Sequence, residues 1–272
     1  MTETVSPTFG VAAERPTLGR GEAHVWTLAD ATSCDPARRL AVLDPVERAR
    51  AARFKLEHHR LEYIAAHWLL RVALSHYDDR PPQAWQFAAE AGGRPIVLAN
   101  TSAPDPLRFS LSHAAGRALV AVSRAPAIGV DLEGEASLPR MTELASRILT
   151  PRELALWQQQ PGPQAARFAL ARWTLKEAYA KARGLGLKLD FSHFGFSDTD
   201  GELRLDEAPL SDPAPQDWRF FSFVPWPTGC AALAVLADRG ETITFRFLLA
   251  PPVGAGLTAF NIATSSGPEP QL

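Results

Sequence analysis

Four residues carry the chemistry that this sequence most readily suggests: Asp131, Glu133, Glu177 and Lys181. In the run Ile128-Gly129-Val130-Asp131-Leu132-Glu133, read as a strand, residues 131 and 133 share one face and Ile128, Val130 and Leu132 share the other. Two carboxylates side by side repel each other and tolerate a divalent cation. Magnesium suits them best, because it takes hard oxygen ligands, usually one or two carboxylates completed by water and substrate phosphates. An exposed strand edge bearing two solvated acids would give the same pattern. Glu177 and Lys181 are four residues apart on a helix, where an ordinary surface pair contributes only about 0.2–0.5 kcal/mol. Trp173 falls on the same side and argues for a partly covered wall, since tryptophan is usually buried in large part. A cation on Asp131, Glu133 and Glu177, with an ammonium one turn further along the helix, would suit a pyrophosphate.

The elements that must position these residues come in a repeated order. A short strand at Val25-Trp26-Thr27-Leu28 is answered by Ile128 to Leu132, at an offset of 131 − 27 = 104. A helix start with a cap, a proline and a glutamate follows, Asp44-Pro45-Val46-Glu47 and then Thr150-Pro151-Arg152-Glu153, at an offset of 150 − 44 = 106. Next comes a long amphipathic helix, from about Leu56 to Tyr77 and again from about Ala166 to Arg183, where Gly184 supplies a C-terminal stop. On the second helix Phe168, Ala171, Leu175, Ala178, Tyr179 and Ala182 form an apolar stripe, with Leu170, Trp173, Glu177 and Lys181 roughly opposite. Short strands near residues 95–98 and 202–205, and strand pairs over residues 108–122 and 218–236, complete each copy.

The expectation is an α+β fold of two similar subdomains about a pseudo-twofold axis, each a small mixed or antiparallel sheet packed with a long helix. Their bounds are 21–125 and 126–249, flanked by a flexible segment at 1–20 and a loose tail at 250–272. A ligand cleft would lie between the halves.

Composition sets limits on function. The chain has 272 residues, 21% of them charged, with a net charge of −2. That balance gives no reason to expect nucleic-acid binding. Lys55, Lys176, Lys181 and Lys188 are the only lysines among 28 basic residues, so a single arginine carries little weight. Cys34 and Cys230 fit no metal or redox spacing. The N-terminus lacks the basic start and apolar run of a signal peptide, and no apolar stretch is long enough to span a bilayer. A cytoplasmic protein without a membrane partner is expected.

Gly129-Val130-Asp131-Leu132-Glu133 and Trp173-Thr174-Leu175-Lys176-Glu177-Ala178-Tyr179-Ala180-Lys181, 44 residues apart from Glu133 to Glu177, resemble the two signature motifs of the 4′-phosphopantetheinyl transferase superfamily. The length and the Asp-x-Glu form resemble the monomeric surfactin-synthetase-activating type rather than the short trimeric holo-acyl-carrier-protein synthases. The similarity runs from about Asp44 to Phe196, and more loosely through the remaining strands.

The resemblance implies a coenzyme A site in the first half. Phe109-Ser110-Leu111-Ser112-His113 is similar to the element whose serine and histidine contact the coenzyme phosphates, which nominates Ser110, Ser112 and His113. Ala91-Gly92-Gly93-Arg94-Pro95 resembles the loop beside the adenine, nominating Gly93 and Arg94, and Arg50 and Arg60 occupy the places of residues that bind the 3′-phosphate. The implied reaction moves phosphopantetheine from coenzyme A to a serine of an apo acyl, polyketide or peptidyl carrier protein and releases 3′,5′-ADP. Asp131, Glu133 and Glu177 would hold magnesium, and Glu177, directly or through a metal-bound water, would take the serine proton. Lys181 would balance charge at the phosphates, with Lys176 and His113 as further candidates for that task. A non-catalytic coenzyme A-binding module that docks carrier proteins is the competing reading. Another magnesium-dependent phosphotransferase would normally carry a glycine-rich phosphate loop, and none is visible.

Overall fold

A computed structural model describes residues 10–12, 16–28, 30–31, 35–90, 92–98, 106–199, 201–227, 229–250 and 260–264. Cys34 and most of the stretches read as terminal segments lie outside the described residues.

The first half runs β2 (Glu22–Leu28), α1 (Pro36–Val42), α2 (Pro45–Ala51), α3 (Glu57–Ser75), β3 (Phe87–Ala89), β4 (Pro95–Val97), β5 (Arg108–Ala114) and β6 (Arg117–Ser123). The second runs β7 (Ala127–Gly134), α4 (Leu138–Ile148), α5 (Pro151–Gln158), α6 (Gly162–Arg183), β8 (Gly195–Thr199), β9 (Glu202–Glu207), β10 (Trp218–Phe223) and β11 (Gly229–Leu236). The order of elements repeats, and so does the pairing. In each half the opening strand lies antiparallel to the last, β2 with β6 and β7 with β11, and the last two strands form an antiparallel pair. The α+β architecture read from the sequence is therefore what the chain forms.

Both short helices before the long ones begin with a complete capping box. The side chains of Asp44 and Thr150 accept the backbone N–H of Glu47 and Glu153, whose carboxylates return the bond to the cap N–H. Each glutamate is buried and holds a cation from the following long helix: Arg71 Nε donates to Glu47 at 2.9 Å, and Lys176 Nζ to Glu153 at 2.6 Å. The two ion pairs occupy equivalent places in the repeat.

Three apolar clusters order the layers. Leu69, Leu70 and Ala73 of α3 pack with Trp26, Val120 and Val122 on one face of the first sheet. Leu175, Ala178 and Ala182 of α6 pack with Ala232 and Ala234 on the second. Between the sheets, Ala23, Val25, Leu119 and Ala121 meet Val130, Leu132, Leu233 and Val235. The result is helix, sheet, sheet, helix.

Two expectations need correction. The first sheet has the order β1-β13-β12-β2-β6-β5, where β1 is Gly10–Ala12, β12 Thr244–Leu249 and β13 Phe260–Thr264. β12 thus falls within the stretch assigned to the second half, yet it pairs in parallel with β2, and β13 and β1 extend the same sheet. The edge of β2 left open by β6 needs a partner for its backbone groups, and the chain returns to provide one. Helix α6 is also not divided into a covered and an open face: Leu170, Arg172, Thr174 and Lys176 are as buried as Leu175 and Ala178. It lies against β7, β11 and α4 at once. No described helix is long and apolar enough to cross a membrane.

Candidate active site

The acids stand on β7 because its alternation puts Ile128, Val130 and Leu132 into the core between the sheets and turns Asp131 and Glu133 the other way, toward α6. Gly129 shares their face. A Cβ there would collide with the carbonyl oxygen of Ala178, so this glycine lets α6 lie directly on β7. That approach brings Glu177 and Lys181 against Asp131.

Lys181 Nζ donates to Asp131 Oδ1 at 2.7 Å, to Ser112 Oγ at 3.0 Å and to the Val130 carbonyl at 3.2 Å. Ser112 in turn donates to Asp131 Oδ1 at 3.0 Å. The other oxygen, Asp131 Oδ2, is buried and has no hydrogen-bond partner. Burial, then the charge of Asp131, push the Glu177 carboxyl up to about 7, with Glu133 adding to the rise and Lys181 opposing it. Glu133 is engaged at both oxygens, by Trp173 Nε1 at 3.0 Å and by Ser137 Oγ at 2.6 Å. Accordingly, among the described residues no three His, Cys, Asp or Glu side chains form a ready-made metal cluster. Asp131 and Glu177 have oxygens to offer a cation; Glu133 is tied to its neighbours.

The first half meets this cluster along the seam of β5 and β7. Ser110 Oγ accepts the Val130 N–H at 3.0 Å, and Ser112 is held by Asp131 and Lys181, so both serines, expected to face phosphate, are buried and join the halves. Gly93, at φ +87°, and Arg94 form a loop lying on the end of α6, where Arg94 Nη1 donates to the Ala182 carbonyl at 2.7 Å and its other nitrogens to Glu90. This loop, Ser110, Lys181 and Gly184 line a cavity of about 240 Å³ beside the carboxylates. His113 closes β5 with its ring facing Glu62 on α3.

Arg50 and Arg60 stand apart from the cluster. Arg50 lies over the ring of Tyr63 in a shallow basic hollow with Arg53, and Arg60 is paired with Glu57 at 2.6 Å. Lys176 is a correction to the expected phosphate contacts. It is fully buried, and its ammonium donates to the Ile148 carbonyl, Glu153 and the Phe191 carbonyl at 2.6–2.7 Å. All three of its donors are used inside the fold. Glu62, Ser137 and the Trp173–Glu133 bond escaped the sequence reading. Of these, only Trp173 carried a signal, as an aromatic residue on the acidic face.

Comparison with known proteins points to one family. A family profile described as the 4′-phosphopantetheinyl transferase superfamily matches residues 127–237, from the first residue of β7 to just past β11. The 4′-phosphopantetheinyl transferase HetI of a Nostoc species is 34% identical over 221 residues, covering 80% of this chain and 90% of HetI. The 4′-phosphopantetheinyl transferase of Bacillus subtilis is 26% identical over 68% of this chain and 74% of its own. Among solved structures, a Bacillus anthracis holo-(acyl-carrier-protein) synthase in complex with coenzyme A matches 42% of this chain and 98% of its own, at 23% identity and a TM-score of 0.36. On the extent of the match to HetI, this chain belongs to the 4′-phosphopantetheinyl transferase superfamily and is a phosphopantetheinyl transferase.

Proposed function

We propose that the seam between the halves is where coenzyme A and a magnesium ion meet the serine of an apo carrier protein, with Asp131 and Glu177 as the protein's principal metal ligands. The supporting observation is the pair of features at one point: a buried Asp131 oxygen without a partner, and a neighbouring Glu177 whose ionisation is resisted by burial and by Asp131 itself. A cation between them would relieve that repulsion and, when bound, would neutralise and orient the coenzyme pyrophosphate. Glu133, held by Trp173 and Ser137, orients the site and would add its negative charge near the ion.

The rest of the reaction falls to the side chains. Glu177 accepts the proton of the carrier serine as its oxygen attacks the β-phosphorus, the one bonded to pantetheine. The bond to the departing 3′,5′-ADP then breaks. Lys181, one turn along, has its three donors on Asp131, Ser112 and the Val130 carbonyl, so it balances the negative charge that builds on the leaving group through its positive field. The Gly93–Arg94 loop and the adjoining cavity receive the nucleotide end, His113 meets phosphate, and Arg50 and Arg60, which stand apart from that cavity, are left for the outlying 3′-phosphate. Both walls of this cleft come from one chain, which supports action as a monomer. The paired Asp131, Glu177 and Lys181 favour an enzyme over a docking module, because docking alone requires no buried unsatisfied carboxylate oxygen.

Calorimetric titration with coenzyme A, with and without magnesium, tests the metal assignment. Magnesium should tighten coenzyme binding to the native protein and have no such effect on Asp131→Asn. Equal enhancement in both proteins would remove Asp131 from the metal site.

A further inference from the structure

His113 sits at the end of β5, just before a tight turn. Ala114 pairs with Arg117 across the hairpin, leaving a loop of Ala115 and Gly116, both left-handed at φ +51° and +72°. Glycine adopts that region freely and alanine does not, so the turn needs support from outside itself. Part of the support comes from Ala31, whose N–H donates to the Gly116 carbonyl at 2.7 Å. The rest comes from Glu62 on α3, whose Oε1 accepts the Gly116 N–H at 2.6 Å.

The second oxygen of Glu62 has a different partner. Oε2 lies 3.6 Å from His113 Nδ1, within ion-pair reach but longer than a hydrogen bond, and the buried Nδ1 has no hydrogen-bond partner. The His113 side chain as a whole remains 27% exposed, while that of Glu62 is only 9% exposed. One ring nitrogen is therefore turned inward to a carboxylate, and the opposite nitrogen is left for the open side of the ring. His113 and the Gly116 N–H together outweigh burial and hold the Glu62 carboxyl below its ordinary value, with His59 adding to the effect. The carboxylate is therefore the form that faces the imidazole at neutral pH.

We infer that Glu62 is the positioning residue for His113: it anchors the β5–β6 turn with one oxygen and faces Nδ1 with the charge of the other, directing Nε2 at a coenzyme phosphate. The inference rests on the reading that His113 meets phosphate. A histidine facing an anion contributes most with a fixed ring, and a buried carboxylate behind it supplies the orientation. The single contact to the turn explains why one buried acid on α3 serves two residues 3 apart in sequence, His113 and Gly116.

The test uses the full chain in three forms: Glu62→Gln, His113→Ala and the double variant. Glutamine keeps an oxygen for the Gly116 N–H but presents no negative charge to Nδ1. Titration with coenzyme A should show affinity falling about fivefold in Glu62→Gln, the size of one partly exposed ion pair, with KM for coenzyme A raised to match and kcat nearly unchanged. The double variant should bind no more weakly than His113→Ala, because Glu62 acts through that ring. Affinity unchanged in Glu62→Gln, while His113→Ala weakens binding, would overturn the role of Glu62 and leave the phosphate reading intact. An additive loss in the double variant would overturn it too, as the mark of a general structural effect. If His113→Ala itself binds coenzyme A normally, both the phosphate reading and this inference fail.

Discussion

Glu177 is the residue on which burial and charge act most directly. Its carboxyl is raised to about 7 in the fold, against an unfolded value near 4.5. The folded state therefore binds this proton more tightly, and the stability it adds is fully present below about pH 4.5 and is lost as pH rises through about 7. In the absence of divalent cations, the Tm should accordingly fall between pH 5.5 and 7.5, and Glu177→Gln should flatten that slope. Magnesium should raise the Tm more at pH 7.5 than at pH 5.5, since the ion favours the ionised carboxylates. Scanning calorimetry of both proteins at the two pH values checks this, and an unchanged slope in Glu177→Gln would contradict it. At this scale the sequence was legible where periodicity speaks and opaque where partners are distant. Alternation placed Asp131 and Glu133 on one face correctly. It could not show that Glu133 is held by Trp173, 173 − 133 = 40 residues away, or that Glu62 faces His113, 113 − 62 = 51 residues away. Such contacts are made by the packing of elements.

Helix α6 illustrates the element scale. Lys176 and Lys181 are 181 − 176 = 5 residues apart, which at about 100° per residue sets them well apart around the helix. Helical geometry separates them, but only the fold shows that both sides are covered. Lys176 enters a closed pocket with Glu153, and Lys181 enters the seam with Asp131. Lys176→Ala would leave Glu153 buried without its cation and should destabilise the protein by about 3–5 kcal/mol, as measured by denaturant unfolding. The coenzyme affinity of the folded fraction should be unchanged; a weakened affinity would restore Lys176 to the phosphate site. Gly129 sets how closely the same helix lies on β7. Gly129→Ala should displace it, costing about 1–3 kcal/mol of stability and lowering kcat as Glu177 and Lys181 leave Asp131. Normal kcat in that variant would show that the close approach of helix and strand is dispensable. The capping boxes, the stop at Gly184 and the alternating strands were legible because each is a local pattern. The all-round burial of α6 was not, because Arg172, Thr174 and Lys176 read as polar, and what buries Lys176 lies far along the chain at Ile148, Glu153 and Phe191.

Across the whole molecule, one unit used twice places its two sheets face to face, and the residues proposed to act, Arg50 and Arg60 excepted, lie along a single seam. Phosphate-suited residues come from the first copy, acids and signature helix from the second, and Ser112, Asp131 and Lys181 bind the two together. The repeat was legible as offsets of 104 and 106 residues. The return of β12 to the first sheet was not, since parallel pairing with β2 depends on strands more than 200 residues apart and leaves no local mark. The central claim is that this seam performs magnesium-dependent phosphopantetheinyl transfer through Glu177. The most direct test is intact-mass measurement of a purified apo carrier protein after incubation with coenzyme A and either the native protein or Glu177→Ala, each with magnesium and with chelator. The native protein with magnesium should convert the carrier to its phosphopantetheinylated mass, whereas the chelated reaction and the folded Glu177→Ala variant should leave it unmodified. Conversion by Glu177→Ala at a rate near that of the native protein would contradict the account.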